Sequence, residues 1–330
     1  MASSGKMAGV ENIPPVIISG SIAIDRIMNF GGHFPDLIKY EKIHSLSISI
    51  LLDSLRDTRG GNGANIAYSM ALLGNKPILL GSVGKEAEDY TQDLSKLGVD
   101  ISHVHKSQLP TASFNVITDG GDRQIGGFYP GAMSDSDSLT LESWKDQKPF
   151  IVIAPHDPKA MRRQVQECQK NNFRLLYDVG QQVTNISGED IKAGLEAAEL
   201  IIVNDYELSV ICQKTGQTEP QIKSLVPVVI TTFGSQGSQV EGQNVPSPVR
   251  IGVLQPEKIV DPTGAGDAYR AGFLHGYIRG WDLKISAQLG ATCAAYAIEN
   301  AGTQSHRFNL EEVALRYKVA FKEDLPGDET

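Results

Sequence analysis

The chain has 330 residues, sets 30 Lys and Arg against 39 Asp and Glu, and is 41% hydrophobic and 21% charged. This is ordinary globular usage, which excludes wholesale disorder, and a net charge of −9 argues against a broad basic surface for nucleic acid. Three scattered cysteines, Cys168, Cys212 and Cys293, make neither a disulfide framework nor a CxxC knuckle, so a reducing setting is expected. The opening MASSGKMAGVENIPP lacks the apolar core of a signal peptide. No apolar run approaches the ~20 residues of a membrane helix. The expectation is a cytoplasmic protein with no membrane contact.

A short apolar run at 16–20, ending in Gly, reads as a buried strand. Residues 63–73 place small and apolar side chains at helical spacing and stop at Gly74, a helix with a glycine end. A strand at 77–81 and a helix at 86–97, closed by Gly98, come next. Further on, strand 150–154, helix 158–171, strand 174–178, helix 191–198 and strand 200–204 follow one another. Strand 228–232 and helices 265–279 and 285–299 complete the series. The strands are continuous apolar runs alternating with helices, so the main sheet is expected to be mostly parallel and covered on both faces. Two stretches break the alternation. Residues 27–58 show period-2 character over 46–50, and 112–129 reads as two strands around Asp119-Gly120-Gly121-Asp122. Both are expected in a small sheet outside the main one, and the polar tail 321–330 is expected to fray.

Four segments carry candidate chemistry. Asp261-Pro262-Thr263-Gly264-Ala265-Gly266-Asp267 follows a strand-like stretch at 258–260 and opens a helix. Bare backbone N–H groups at a helix N-terminus form a ready anion site, and Asp267 beside them is placed to take a proton. A tight turn with an N-terminal carboxylate explains the same residues without chemistry. Gly60-Gly61-Asn62-Gly63-Ala64-Asn65 also opens a helix but lacks the spacing of a dinucleotide fingerprint; Asn65 in the first turn suits a hydroxylated ligand. Thr232-Phe233-Gly234-Ser235-Gln236-Gly237 follows a strand and offers a hydroxyl and tight backbone approach. Asn204-Asp205-Tyr206-Glu207 starts a helix, where capping alone accounts for Asn and Asp. Glu207 nevertheless lies at the carboxyl end of a strand, where open α/β sheets bind ligands, and suits a Mg²⁺ held through water. His156, just after a strand end, is a weaker candidate to line the same cleft.

Taken in this order, the segments resemble the PfkB family of carbohydrate and nucleoside kinases over nearly the whole chain. The stretches at 51–73 and 128–133 look most like its bacterial and archaeal adenosine or nucleoside kinases. The resemblance implies a ribokinase-like α/β fold: a mostly parallel central sheet with helices on both faces, plus a small β-sheet lid. On that division the large domain takes 16–26, 59–111 and 130–320, the lid takes 27–58 and 112–129, and 1–15 and 321–330 are flexible tails.

The resemblance further implies Asp267 as general base and Gly264, Ala265 and Gly266 as an anion hole. Asp25, Gly61 and Asn65 would bind the acceptor's hydroxyls. Asn204, Thr232, Gly234 and Gly237 would line the ATP site, with Mg²⁺ organised by Asn204 and Glu207 and a K⁺ site near Asp261 and the 301–303 loop. Three departures stand out: Pro262 replaces the family's frequent Thr, Ala23 an Asn, and Asn62 a Lys. They lean away from ribose and towards a nucleoside, adenosine first, with the acceptor face of the lid expected from Ile48, Ile50, Leu51 and Phe128. A free-sugar kinase is the alternative, and a nucleotide-binding protein without turnover is disfavoured because binding alone has no need of Asp267. The expected partners are ATP and a small nucleoside or sugar, in a monomer or a homodimer paired through the lid.

Overall fold

The computed structural model describes residues 13–38 and 44–326. In chain order its elements are β1 (Val16–Ser19), β2 (Ala23–Phe30), α1 (Phe34–Leu37), β3 (Ser54–Gly60), α2 (Asn62–Leu72), β4 (Ile78–Val83), α3 (Glu88–Lys96) and β5 (Val104–Lys106). There follow β6 (Ala112–Asp119), β7 (Gln124–Tyr129), β8 (Phe150–Ile153), α4 (Pro158–Asn171), β9 (Arg174–Tyr177), α5 (Gly188–Ala197), β10 (Leu200–Asn204) and α6 (Asp205–Thr215). The chain closes with α7 (Glu219–Leu225), β11 (Val228–Thr232), β12 (Ser238–Glu241), β13 (Val249–Ile251), α8 (Ala265–Tyr277), α9 (Leu283–Ile298) and α10 (Leu310–Phe321).

The large sheet has nine strands in the order β13-β12-β11-β10-β9-β8-β1-β4-β5. All its pairings are parallel except those of β12 and β13. Alternation along each strand sends side chains to opposite faces, and the two cores divide accordingly. Ile18, Val152, Leu176, Ile202 and Ile230 join the core beneath α2 and α8. Their neighbours Ile17, Ile151, Leu175, Ile201 and Val229 join the core beneath α4 and α5. This is why the strands read as unbroken apolar runs.

The small sheet has the order β3-β2-β6-β7. The turn between β6 and β7 is pinned by the Asp119 carboxylate, which accepts the N–H groups of Gly121 and Arg123 at 2.9 Å. Here the structure corrects several expectations. Residues 46–50 form no strand; the strand is β3, whose SLRDTRG has no apolar alternation because most of its residues are exposed. The boundaries drawn at 26/27 and 58/59 cut through β2 and β3, so Asp25, Arg59 and Gly60 belong to the small sheet. Residues 258–260 are not a strand either: the N–H groups of Val260 and Asp261 both go to the Ile298 carbonyl. The C-terminal segment does not fray over 321–326, since Leu325 is buried against α9 and α10 and Asp324 pairs with Lys318 at 2.6 Å. The remaining tail expectations, at 1–12 and 327–330, lie outside the described residues. Among the described residues no helix is long and apolar enough to cross a membrane.

Candidate active site

The site is built where two helices start, α2 and α8, against the ends of β1, β9, β10 and β11. Gly61 opens α2 at φ +94°, and a side chain there would run into the Ser21 carbonyl and the Ala23 nitrogen. The Ser21 hydroxyl accepts the Asn62 N–H at 3.0 Å. Helix α8 starts from Gly264, at φ +83° and packed against Thr303, with no side-chain cap among the described residues. The Ala265 N–H goes to the Pro262 carbonyl at 3.2 Å, and the N–H groups of Gly266 and Asp267 stay available to a ligand.

Asp267 sits in that first turn and is buried. Its two oxygens accept one amide each, Asn62 Nδ2 at 3.0 Å and Asn65 Nδ2 at 2.8 Å. Burial pushes its pKa above the usual carboxylate range, against the pull of Arg270 and of the two amides. The Asn65 carbonyl oxygen is held in turn by Thr303 Oγ1 at 2.9 Å and Gln304 Nε2 at 2.8 Å. The single Thr303 proton is shared with the Arg59 carbonyl at 2.7 Å, and Gln304 Nε2 gives its second hydrogen to the Tyr90 hydroxyl at 2.5 Å. Tyr90 donates onward to the Gly60 carbonyl at 2.8 Å. Asn65, expected to meet the acceptor, places one of its two amide hydrogens on Asp267.

Asp25 reaches the same place from β2, its carboxylate lying against Gly60, where a Cβ would collide with it. Burial lifts it to about 6, with Asp267 and Asp261 adding like-charge repulsion. Unfolded, the group titrates near 4. The native state therefore binds the proton more readily, and this carboxylate opposes folding fully above pH ~6 and not at all below ~4. Asp25→Asn is expected to raise Tm at pH 8 and to lose that advantage as pH falls towards 4.5, measured by thermal melts across the range. An equal gain at every pH would contradict the assignment.

Asp261 ties two loops together. Its oxygens accept the N–H groups of Thr263 and Gly302, each at 2.9 Å. Burial works upward on its pKa, but these bonds outweigh it and hold the carboxyl below its usual range. On the other side of α8, Asn204 and Thr232 stand side by side at the ends of β10 and β11. Asn204 Oδ1 accepts the Glu207 N–H at 2.7 Å, and Glu207 Oε2 accepts the Asn204 N–H at 2.9 Å, a reciprocal cap of α6. Gly234 and Gly237, both at positive φ, close the turn after β11, where the Gly237 carbonyl accepts the Phe233 N–H at 2.8 Å. Glu207 lies near enough to raise the Asp267 pKa. His156 is not part of the site: fully buried, it shares a 2.7 Å hydrogen bond with the Ala154 carbonyl, and burial lowers it to about 4.

Arg270, Asp178, Tyr90 and Gln304 escape motif reading, and Thr303 enters it only as part of the 301–303 loop. A lone arginine inside the apolar helical stretch AYRAGFL is the one legible hint among them, since a charge is buried only when paired.

The chain matches the pfkB family carbohydrate kinase pattern over residues 25–308. It is 29% identical to a nucleoside kinase of Methanothermobacter thermautotrophicus over 92% of this chain and 99% of that one. A fructoselysine 6-kinase of Escherichia coli is 28% identical over 74% of this chain and 90% of that one. Among solved structures, a nucleoside kinase of Burkholderia thailandensis in complex with inosine superposes with a TM-score of 0.84 at 30% identity, covering 94% of this chain and 100% of that one. A ribokinase of Thermotoga maritima superposes at 0.76 with 20% identity, covering 92% and 99%, which shows the shared ribokinase-like fold.

Proposed function

The chain belongs to the pfkB family of carbohydrate kinases, phosphotransferases acting on hydroxyl acceptors, and we propose that it moves the γ-phosphoryl group of ATP to the 5′-hydroxyl of a purine ribonucleoside, adenosine first. The observation that carries the acceptor is one row of the small sheet. Strand register aligns Thr58, Asp25, Phe114 and Phe128 across β3, β2, β6 and β7, so all four share one face. Asp25 marks it as the face towards Asp267. A carboxylate for ribose hydroxyls stands beside two rings that are 40% and 50% exposed, a flat apolar surface with no use for a free sugar. Phe114 was not expected from sequence, whereas Leu51, at 87% exposure, and Ile48 and Ile50 lie outside any strand. The archaeal and Burkholderia relatives, named as nucleoside kinases, support the same reading.

In the proposed reaction the acceptor hydroxyl gives its proton to Asp267 while its oxygen bonds to the γ-phosphorus. The bond from that phosphorus to the β–γ bridging oxygen breaks, and ADP leaves. Asn62 and Asn65 hold the base in position. Of the expected anion hole, the N–H groups of Gly264 and Gly266, joined by that of Asp267, meet the charge on the transferring group, while the Ala265 N–H is held by the Pro262 carbonyl. The Gly234 to Gly237 turn and Thr232 line the ATP side.

Mg²⁺ fits beside Glu207, whose second oxygen has no protein partner among the described residues. When bound, the ion neutralises phosphate charge that no P-loop lysine is present to meet. K⁺ fits less directly, since each Asp261 oxygen already accepts a backbone N–H; carbonyls of the 301–303 loop would hold it, with Asp261 supplying charge. Turnover is expected to vanish with a chelator and return on adding Mg²⁺. Full turnover in excess chelator would remove the metal from the reading.

Acceptor choice is tested by an ADP-release screen over nucleosides and free sugars. Burying a purine face is worth several kcal/mol, and each 1.36 kcal/mol is tenfold, so kcat/KM for adenosine is expected to exceed that for ribose at least ~100-fold. Phe114→Ala and Phe128→Ala are expected to raise KM for adenosine more than KM for ATP. The fructoselysine 6-kinase relative keeps a free-sugar acceptor as the second reading, and ribose or fructose outperforming every nucleoside would establish it instead.

A further inference from the structure

Beneath the anion hole lies a buried ion pair that the proposed reaction has not used. Arg270 is one helical turn after Asp267 on α8 and almost wholly buried. Its Nη2 donates to Asp178 Oδ1 at 2.9 Å and to the Ile202 carbonyl at 3.0 Å, and its Nε stands 2.6 Å from Asp178 Oδ2. Asp178, directly after β9, is fully buried. The clamp turns the other end of the guanidinium towards the nest, where a Cβ on Gly266 would come within 2.9 Å of Nη1. Nη1 itself has no protein acceptor among the described residues.

We propose that Arg270, fixed by Asp178 and the Ile202 carbonyl beneath Gly266, is a positioning residue for the general base: it is the permanent positive charge that keeps the buried Asp267 carboxylate an anion, free to take the acceptor's proton. The inference rests on the phosphotransfer reading above. A carboxylate this deep is destabilised as an ion. The neighbours that face it are two neutral amides from α2, Arg270 from α8, Glu207 from α6, Asp178 beyond β9, Asp25 from β2 and the Tyr90 hydroxyl from α3. Tyr90 is uncharged, because burial pushes its pKa further up. Among the described residues, the cation that acts on Asp267 is Arg270; the other carboxyls are those of Glu207, Asp178 and Asp25, the last two pushed up to about 7 and about 6 by burial, and Arg59 lies further out, over the Tyr90 ring. Among the influences that hold Asp267 down, Arg270 is the largest, ahead of Asn65 and Asn62. Arginine suits the task because it stays charged at this depth and its planar fork is locked by two acceptors.

Asp178 then has two opposed effects. It holds Arg270 in place, yet it spends part of that charge. The two partners should consequently move Asp267 in opposite directions. Arg270→Met removes the cation and is expected to shift the acidic limb of kcat/KM upward by about one pH unit or more. Asp178→Asn preserves shape and one acceptor, releases charge towards Asp267, and is expected to shift the limb downward. Arg270→Lys keeps the charge and is expected to stay closer to wild type than Arg270→Met.

The same shifts are read without turnover by titrating ¹³C-carboxyl-labelled aspartate in the acceptor-free protein by NMR, with Asp267→Asn assigning the resonance. A wild-type protein that phosphorylates no nucleoside sinks the acceptor reading and leaves this titration intact. Thermal melts accompany each variant, since breaking a buried pair costs stability. If Arg270→Met does not fold, Asp178→Asn decides: a downward shift supports the proposal. An unmoved or upward limb in folded Asp178→Asn overturns it, as does folded Arg270→Met titrating like wild type, for the pair is then only a structural tie.

Discussion

Replacing Asp267 by Asn is expected to lower kcat about 10²–10⁴-fold, the usual worth of a positioned general base, while ATP still binds. The substitution keeps the volume of the side chain and removes its basicity. Both oxygens of Asp267 accept amide N–H groups from Asn62 and Asn65; an Asn side chain can accept only one of these, so one neighbouring amide must turn aside. That rearrangement is local, because Asn65 remains tied to Thr303 and Gln304 through its carbonyl oxygen. The measurement is kcat under saturating ATP and acceptor, beside the Kd for ATP by titration calorimetry. Turnover near wild type would remove Asp267 from the chemistry. Lost ATP binding would show instead that the start of α8 had collapsed.

The large sheet was legible because burial imposes a pattern. Its central parallel strands have both faces covered, so segments such as 150–153 and 200–203 are apolar throughout and stop where the cores stop. The small sheet obeys a different constraint. Most of β3 and all of β7 are exposed, so β3 can be Ser-Leu-Arg-Asp-Thr-Arg-Gly without cost, and nothing in that string announces a strand. The same physics hid β12 and β13, short antiparallel additions at the sheet edge.

The site divides along similar lines. Gly61 and Gly264 were legible because a backbone at φ +94° or +83° all but demands glycine. Asp267 stood out from sequence through the family resemblance and its place beside the Gly-Ala-Gly turn, since an N-terminal carboxylate alone has an ordinary structural reading. Thr303 and Gln304 were not: they reach Asn65 across 238 and 239 residues of sequence, and no local spacing encodes such a contact. From sequence, capping is the stronger reading of Asn204, with Glu207 kept as a candidate for Mg²⁺. Their reciprocal bonds make them a cap, and that cap leaves one Glu207 oxygen without a protein partner among the described residues.

That long-range contact yields the second large effect. Asn65→Asp is nearly isosteric and keeps the oxygen that Thr303 and Gln304 donate to, so the fold has no reason to give way. What changes is the atom 2.8 Å from Asp267 Oδ2: an amide donor becomes a carboxylate oxygen. Two carboxyl groups at that distance cannot both ionise in a buried place, so they share a proton and titrate as a pair, the second step strongly raised. Asp267 then no longer stands as a free base at neutral pH. Turnover at pH 7 is expected to fall about 100-fold or more, the scale of losing general-base catalysis, and to recover partly as rising pH strips the shared proton. Asn65→Ala is the control. It loses the donor without adding charge, so its smaller deficit is expected to lack that recovery. The pH profiles of the two variants, taken with their melting temperatures, separate the cases. A folded Asn65→Asp protein with wild-type turnover at pH 7 would mean that the ionised state of Asp267 does not govern the reaction.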